Sequence, residues 1–295
     1  MKKKIVIAGG TGFIGKYLQE QFQIIGYEVI IIARTKGCVS WKDENAIISA
    51  LENAEMLINL AGKSVDCRYN EKNKAEIFSS RTETTQILGN ALLKCQYPPE
   101  LWLNSSTATI YRHAEDRSMT ETTGEIGSGF SVEVAKAWEK SFFDFQLPQT
   151  RQVALRIAIV LGKGGGVMTP FKNLVRFGLG GKQGNGKQMF SWIHLEDLKN
   201  MILFFQTHKE LQGVYNCSSP YPVKNEELMR ILRNVMKVKW GLPSPTFLLT
   251  LGAILIRTET ELILKSRWVV PGKLLAAGFQ FKYEKMEDAL QEILG

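Results

Sequence analysis

Cysteine is scarce in this chain, and its positions exclude two common uses of the residue. The 295 residues include four cysteines, and no two of them form a Cys-x-x-Cys pair. They are Cys38, Cys67, Cys95 and Cys217. Disulfide frameworks and zinc sites need clustered cysteines, so neither is expected, and we assign no metal. This usage fits a reducing compartment, and the sequence predicts a cytoplasmic protein.

The chain also lacks long hydrophobic runs, low-complexity segments and internal repeats. The apolar run at residues 5–8 is too short for the core of a signal peptide. The most apolar later stretch, residues 247–256, has about half the length of a membrane span. Hydrophobic residues still make up 44% of the composition, enough for one large α/β core with a smaller appendage. We therefore expect no membrane partner.

Acidic residues are outnumbered by basic ones, and the formal net charge is +8. The basic residues are scattered, and no predicted helix carries a basic stripe with interleaved aromatic residues. A nucleic-acid partner is therefore not expected. A basic surface also suits a phosphorylated small molecule.

One motif carries most of the functional information. Residues 9–15 have the sequence Gly-Gly-Thr-Gly-Phe-Ile-Gly and directly follow the apolar run Ile5-Val6-Ile7-Ala8. Apolar residues at helical spacing come next, and Gly26 is a typical end of a helix. A strand, a glycine turn and a helix N-terminus together form a diphosphate site, because glycines admit the phosphates and the helix end offers free N–H groups. The alternative is a purely structural turn.

Predicted strands alternate with predicted helices, a pattern typical of a parallel sheet covered on both faces. The strands are predicted at 4–8, 27–33, 55–60, 101–105, 152–161 and 213–217. The helices are predicted at 13–25, 44–53, 73–95, 129–145, 195–208 and 225–236. The fold class is therefore α/β, with a Rossmann-type doubly wound parallel sheet.

Two segments depart from this alternation. Residues 162–190 are rich in glycine, and prolines punctuate short helical pieces from about residue 218 onwards. We predict a Rossmann domain at 1–217 and a small, mostly helical domain at 218–295, to which the 162–190 excursion contributes. The second domain is expected on the substrate side, because ligands of open α/β sheets bind at the carboxyl edge.

The end of the second predicted strand indicates which nucleotide binds. NAD sites place an acidic residue there for the ribose 2′-hydroxyl, whereas this chain has Ala33 followed by Arg34. An arginine can bind a 2′-phosphate through charge-assisted hydrogen bonds, and Lys36 could add a charge. The sequence therefore favours NADP(H). The alternative is that Arg34 is a solvated loop residue.

The GxxGxxG spacing and its Thr-Gly-Phe-Ile-Gly wording resemble the extended branch of the short-chain dehydrogenase/reductase superfamily. Residues Asn59-Leu60-Ala61-Gly62 resemble a second element of that superfamily, in which small residues let the chain pass close beneath the dinucleotide. The resemblance implies a sheet-edge dinucleotide site. Its implied cofactor-binding residues are Gly9, Thr11, Gly12, Phe13, Ile14, Gly15, Arg34, Leu60, Ala61, Gly62 and Ser105.

The segment Leu103–Tyr111 resembles the superfamily strand that carries a catalytic hydroxyl, and Thr107 takes that position. The superfamily also uses Tyr-x-x-x-Lys on the next helix, where lysine lowers the tyrosine pKa and holds the nicotinamide ribose. The aligned positions here are Phe130 and Val134, or Ser131 and Ala135 in the other register. None of the eight tyrosines is followed by lysine four residues later.

That absence narrows the resemblance to an atypical, uncharacterised epimerase-like group with a small C-terminal domain of unknown function. The matches span essentially the whole chain and include Ser80-Arg81, Trp138-Glu139, Leu155-Arg156, Ser191-Trp192-Ile193-His194 and Val270-Pro271-Gly272-Lys273-Leu274. Candidates for the missing acid/base are Tyr111, Glu133, Lys136 and His194. Their alternatives are cleft packing for Tyr111, surface positions for Glu133 and Lys136, and a core histidine for His194.

Two functional hypotheses follow. The first is an NADP-dependent epimerase, dehydratase or reductase acting on a nucleotide-linked or other phosphorylated small molecule. The second is a catalytically silent NADPH-binding protein that docks a protein partner. The family arginine for a nucleotide diphosphate is absent from Gly184-Asn185-Gly186-Lys187-Gln188, where only Lys187 is charged. The chain is expected to be a monomer or a homodimer.

Overall fold

A computed structural model describes residues 3–245 and 264–295, so the apolar stretch 247–256 lies outside the described residues. Its centre is a six-stranded parallel sheet. The strands are β1 (Lys4–Ala8), β2 (Glu28–Ile32), β3 (Met56–Asn59), β4 (Leu101–Thr107), β5 (Arg151–Ile157), β6 (Ile159–Leu161), β7 (Met189–Phe190), β8 (Trp192–His194), β9 (Gly213–Cys217) and β10 (Val223–Lys224). The sheet order is β2-β1-β3-β4-β5-β9, which confirms the predicted fold class.

The helices cover both faces of this sheet. They are α1 (Phe13–Ile24), α2 (Glu44–Leu51), α3 (Glu71–Lys94), α4 (Phe130–Phe143), α5 (Met168–Arg176), α6 (Leu195–Thr207), α7 (Asn225–Val235), α8 (Gly272–Ala276) and α9 (Met286–Leu294). Strand β1 shows why two layers form. Its Ile5 and Ile7 pack with α1 and α6, while Val6 and Ala8 pack with α2 and α3. Both faces of the strand are thus apolar and buried, as parallel sheets require.

The prediction of one strand over 152–161 was wrong. The strand is interrupted at Ala158, whose N–H donates to Cys217 O at 3.0 Å. Strand β5 stays in the main sheet, whereas β6 pairs with β8 in a separate two-stranded sheet. An unbroken apolar run hides this change of partner, because buried strands of either sheet look alike in sequence. The excursion that follows also contains a helix, α5, which was not predicted.

The C-terminal residues pack in two places. Helices α5, α7 and α9 form one apolar cluster with Trp192 and Phe190. Leu274 and Phe279 instead belong to the cluster of the main sheet, beside Ile193 and Leu198. The segment is therefore joined to the sheet by a shared core, and the boundary at 217/218 stays a prediction. In the described part of the chain, none of the helices combines the length and apolar character needed to cross a bilayer.

Candidate functional site

The glycine turn lies at the point where the strand order of the sheet reverses. Strand β1 lies between β2 and β3 in the sheet. The chain runs from β1 outwards to β2 and then crosses back to β3 on the other side of β1, from where it continues to β4. Open α/β sheets bind ligands in the crevice that this reversal creates. Gly9, with φ +76°, closes the bottom of the crevice: a Cβ there would lie 2.7 Å from Ala61 N. Any side chain at position 9 would collide with the Ala61 backbone, so this position requires glycine.

The other glycines of the turn differ in what surrounds them. A Cβ on Gly15 would lie 2.5 Å from Gly10 Cα, so Gly15 is needed for packing inside the turn. A Cβ on Gly12 would meet one atom within 4 Å, Gly9 O at 3.7 Å. Gly12 is also the N-cap of α1 and has no side chain to cap the first turn. The space over Gly12 and the free N–H groups of α1 therefore suit a diphosphate.

Three further residues of the turn have different surroundings. Thr11 is exposed, and Ile14 packs against the core of the sheet. The Phe13 ring is covered by the glycine-rich excursion: a Cβ on Gly165 would lie 2.5 Å from the ring, and one on Gly166 would lie 3.0 Å from it. The excursion thus folds against the turn, and its glycines make that approach possible.

Arg34 follows β2, and its side chain is exposed at the carboxyl edge. On α3 nearby, Glu76 has a pKa below its ordinary value because of its hydrogen bond to Lys63, the Lys63 charge and, more weakly, Lys72 and Arg34. Lys63 Nζ lies 2.5 Å from Glu76 Oε2 and 2.7 Å from Asn73 Oδ1. Lys63 was not predicted as a site residue, although it directly follows the Leu60-Ala61-Gly62 element.

A buried polar chain holds the loop that follows β3. The Asn59 side chain accepts the Ala61 N–H at 3.0 Å and donates to Asn104 Oδ1 at 2.6 Å. Asn59 Nδ2 also donates to Thr85 Oγ1 on α3, and that oxygen accepts the Trp138 indole N–H at 3.1 Å. The position of Ala61 is therefore set by the two helices beneath it.

Thr107 ends β4 at the carboxyl edge and is half-buried. Its Oγ1 accepts the Thr109 N–H at 3.1 Å, which starts a 3-10 turn over Ala108–Ile110. A hydroxyl that accepts this bond still has its own proton to donate. Ser105 lies two residues earlier and is buried. Thr107 therefore has a hydroxyl proton to donate at the carboxyl edge of the sheet, and its catalytic role stays a prediction.

Tyr111, a candidate for the missing acid/base, lies inside the protein. Its side chain is buried, and its hydroxyl donates to Asn216 Oδ1 at 2.9 Å while accepting from Arg156 at 2.8 Å. Burial raises the pKa of Tyr111 above its ordinary value, against the lowering effect of Arg156. These contacts connect Tyr111 to β5 and β9, and its role as the acid/base stays a prediction.

His194, another candidate for the acid/base, also forms hydrogen bonds within the protein. Its Nδ1 accepts the Glu196 N–H at 3.1 Å and caps α6, so the proton of the neutral ring lies on Nε2. That nitrogen lies 3.2 Å from Glu292 Oε2 on α9. Burial lowers the pKa of His194, while its contact with Glu292 raises it less. Both ring nitrogens are thus occupied by contacts within the protein.

Glu133 and Lys136 lie on the exposed side of α4, where they face each other at 3.3 Å. The structure does not bring either of them to Thr107 through a hydrogen bond. On the inner side of the helix, Val134 and Ala135 are both buried. These are the positions that correspond to the lysine of Tyr-x-x-x-Lys in the two possible registers. Helix α4 therefore offers no cation on its buried face within the described chain.

A buried ion pair lies behind Thr107 instead. Arg156 on β5 and Glu139 on α4 form two hydrogen bonds of 2.8 Å each, and Ser106 Oγ donates to Glu139 at 2.6 Å. Burial alone would lower the pKa of Arg156, but the hydrogen bond and charge of Glu139 raise it overall. Both residues belong to the segments that match the family, Trp138-Glu139 and Leu155-Arg156, but their sequence context predicts no role for them. Their pairing is invisible in sequence because 17 residues separate them.

A groove of about 1050 Å³ lies elsewhere, between the 181–189 segment and α7. Its walls include Lys182, Lys187, Lys224, Arg233, Met189 and Trp268. Neither the glycine turn nor β4 contributes to these walls. The segment that carries Trp268 connects the two regions, because the adjacent Arg267 donates to Thr109 Oγ1 at 3.2 Å. Lys187, the charged residue of the Gly184–Gln188 loop, thus lines a groove next to the sheet edge whose walls also carry Glu115, Glu226 and Glu227.

Comparisons with known proteins agree with this geometry. Human "Epimerase family protein SDR39U1" is 32% identical over 298 residues, covering 99% of both chains. "Epimerase family protein YfhF" of Bacillus subtilis is 30% identical, covering 98% of this chain and 97% of the relative. A crystal structure of human epimerase family protein SDR39U1 (isoform 2) with NADPH has a TM-score of 0.89, 30% identity and 99% coverage of both chains.

Two sequence profiles match the chain. Residues 244–293 match a domain of unknown function, DUF1731. Residues 5–218 match the NAD dependent epimerase/dehydratase family, and this chain therefore belongs to that family.

Proposed function

We propose that this chain is an NADP(H)-binding oxidoreductase of epimerase/dehydratase type that acts on a small molecule. The observation that carries the proposal is the contrast within the glycine turn. Gly9 and Gly15 are closed in by protein atoms, whereas Gly12 faces open space at the N-terminus of α1. A purely structural turn would not need an open glycine at the helix end. A site for a dinucleotide diphosphate needs the closed glycines, which shape the turn, and the open glycine, which leaves room for the phosphates.

The choice of NADP(H) over NAD(H) is supported by charge. Arg34 follows β2, where an acidic residue would bind the ribose 2′-hydroxyl of NAD, and its guanidinium is exposed. Lys63 lies in the same region but is paired with Glu76, so Arg34 is the cation assigned to the 2′-phosphate. The human relative was crystallised with NADPH. We infer that Arg34 binds the 2′-phosphate and that Gly9, Thr11, Gly12, Phe13, Ile14, Gly15, Leu60, Ala61, Gly62 and Ser105 line the rest of the dinucleotide site.

The chemistry that a bound nicotinamide would supply is hydride transfer. Thr107 is proposed to orient the reacting oxygen of the substrate with its free hydroxyl proton. Lysines and arginines outnumber glutamates in the walls of the groove beside Trp268, which supports a substrate with negative charge, and nucleotide-linked compounds are one such class.

Calorimetric titration with NADPH and NADH tests the proposal. We expect NADPH to bind at least tenfold more tightly, which corresponds to about 1.4 kcal/mol or more. Arg34→Ala should remove the preference, because the 2′-phosphate loses its charged partner. Arg176→Ala, an exposed arginine at the end of α5, is the matched control and should retain the preference. Equal affinities in the wild type, or an unchanged preference in Arg34→Ala, would contradict the assignment.

The alternative function, a silent NADPH-binding protein that docks a protein partner, is favoured by one observation. Tyr111 and His194 are engaged in structural hydrogen bonds, and Glu133 and Lys136 pair on the surface. Assays of NADPH oxidation and sugar epimerisation separate the two functions. Tight NADPH binding without turnover of any carbonyl or sugar-nucleotide substrate would favour the silent protein.

A further inference from the structure

Arg81 on α3 carries a positive charge that no acidic side chain of the described residues pairs with. Its NH1 donates to Ile77 O at 2.9 Å, and its guanidinium carbon lies 5.1 Å from the centre of the Trp138 ring. Across residues 3–245 and 264–295, no carboxylate forms an ion pair with it. Burial lowers the pKa of Arg81 to about 10. The guanidinium is therefore charged at neutral pH and keeps donors for another acceptor.

Arg151 shows how this chain satisfies another partly buried arginine without an acid. Its guanidinium donates to two backbone carbonyls, Leu211 O and Phe205 O. Arg81 has one such carbonyl, although a guanidinium carries five N–H donors. Leaving charged donors without acceptors in a partly buried position costs free energy. A ligand with two acceptor oxygens would remove that cost by accepting hydrogen bonds from the Arg81 guanidinium.

The guanidinium lies at the carboxyl edge of the sheet. A Cβ on Gly62 would be 3.2 Å from Arg81 Cζ, so the side chain packs directly against the loop that follows β3. The neighbouring residue Ser80 accepts the Lys63 N–H at 2.8 Å and fixes that loop. Trp138 is itself held by Thr85. Arg81 is thus oriented before any ligand arrives, which lowers the entropic cost of binding.

The position of Arg81 also bears on the lysine that is missing from α4. Trp138, on which Arg81 stacks, lies one helical turn after Val134, so the two share a helix face. Val134 is one of the two positions at which lysine is missing. Arg81 therefore brings a cation from α3 to the inner side of α4, where α4 has none.

We propose that Arg81 binds a carboxylate or phosphate group of the substrate in the cleft beside Gly62. A planar guanidinium matches either group with two parallel hydrogen bonds. The proposal rests on the proposed function in that it places the substrate next to the dinucleotide. The diphosphate of the dinucleotide is assigned to Gly12 and α1, which leaves Arg81 for a second ligand. The substrate is therefore an acid.

Binding of inorganic phosphate and of malonate tests this proposal, measured by calorimetry with and without saturating NADPH. Wild type should bind at least one of the two anions, and Arg81→Gln should weaken that binding at least tenfold. Arg81→Lys, which retains the charge without the two-pronged geometry, should bind the anion with an affinity between those of the wild type and Arg81→Gln. Arg151→Gln is the matched control and should bind as the wild type does. Melting temperatures verify that each variant is folded.

The outcomes separate the possibilities. NADPH affinity should change less than twofold in Arg81→Gln. A loss of NADPH affinity with unchanged anion binding would overturn the proposal and assign Arg81 to the dinucleotide diphosphate. Unchanged binding of both, in a folded variant, would also overturn it and leave Arg81 a role only in fixing the Gly62 loop. Anion binding that depends on Arg81 in a protein that does not bind NADPH would refute the proposed function and retain the anion site.

Discussion

Glu139 and Arg156 form a two-pronged ion pair in which both hydrogen bonds measure 2.8 Å and both side chains are about nine-tenths buried, with 12% and 11% exposed. The pair joins α4 to β5 directly behind Ser106, the neighbour of Thr107. Arg156 continues the connection to Tyr111 and so to Asn216 on β9. Helix α4 lacks the tyrosine and lysine in its N-terminal half, and the Glu139–Arg156 ion pair fixes its C-terminal half.

Removing one member of this pair should destabilise the protein strongly. Glu139→Gln leaves the Arg156 guanidinium buried without a negative partner, and breaking such pairs typically costs about 3–5 kcal/mol. We expect a loss of that order in the free energy of unfolding, measured by urea denaturation.

The control lies one residue further along α4. Lys140 pairs with Asp144 at 2.5 Å, but both side chains are exposed. Lys140→Gln should therefore change the free energy of unfolding by less than about 0.5 kcal/mol. Similar losses in the two variants would mean that the buried pair contributes no more than a surface contact.

How far the sequence predicts this protein depends on whether the signal is local. Glycine turns, apolar periodicity and helix ends are local, so the main sheet and the crevice over Gly12 could be foreseen. The roles of Tyr111 and His194 could not, because their partners Asn216 and Glu292 are 105 and 98 residues away. A tyrosine or histidine near a sheet edge has the same sequence signature whether it is free for catalysis or engaged in structure.

The difference between Gly12 and Gly15 can be tested directly. Gly12 has φ −77° and ψ 179°, which valine adopts without strain, and the space around it is open. Gly12→Val should therefore fold normally but lose NADPH binding, because the valine methyl groups occupy the place proposed for the diphosphate. The readout is thermal stabilisation by NADPH, which should be about 2.7 kcal/mol in wild type at one hundred times Kd and absent in the variant.

Gly15→Val is the comparison. Its Cβ would lie 2.5 Å from Gly10 Cα, so this substitution should destabilise the fold even without ligand. Normal stabilisation of Gly12→Val by NADPH would mean that the open space is not where the diphosphate binds.

The buried histidine predicts a pH dependence. Burial holds the pKa of His194 below its ordinary 6.5, so the unfolded chain binds this proton more tightly than the folded protein does. The stability contributed by neutral His194 is complete above pH 6.5 and is lost as the pH falls through its lowered folded value. His194→Asn keeps a good helix cap and removes the titration. Between pH 7.5 and about 5.5, unfolding free energies should fall more steeply in the wild type than in this variant.

Equal slopes in the wild type and His194→Asn would show that His194 does not titrate across the unfolding transition.

The last prediction concerns the two positions on α4 where the family carries tyrosine and lysine. A positioned acid/base contributes roughly 10²–10⁴ in rate, and Thr107 can orient an oxygen but cannot readily remove its proton at neutral pH. We therefore expect negligible epimerisation of UDP- and GDP-sugars by the wild type, even with NADPH bound. The double variant Phe130→Tyr, Val134→Lys should gain reduction of a simple carbonyl, followed by NADPH absorbance.

The second register supplies the matched variant, Ser131→Tyr with Ala135→Lys. Ala135 is fully buried in the cluster beneath the 3-10 turn, so a lysine there should destabilise the fold without producing activity. Activity in the first double variant alone would show that α4 keeps the family geometry and that the site lost its acid/base by substitution. Wild-type turnover at rates normal for the family would contradict this account. Glu133 and Lys136 would then be the next residues to replace, because their surface ion pair can open without disturbing the core.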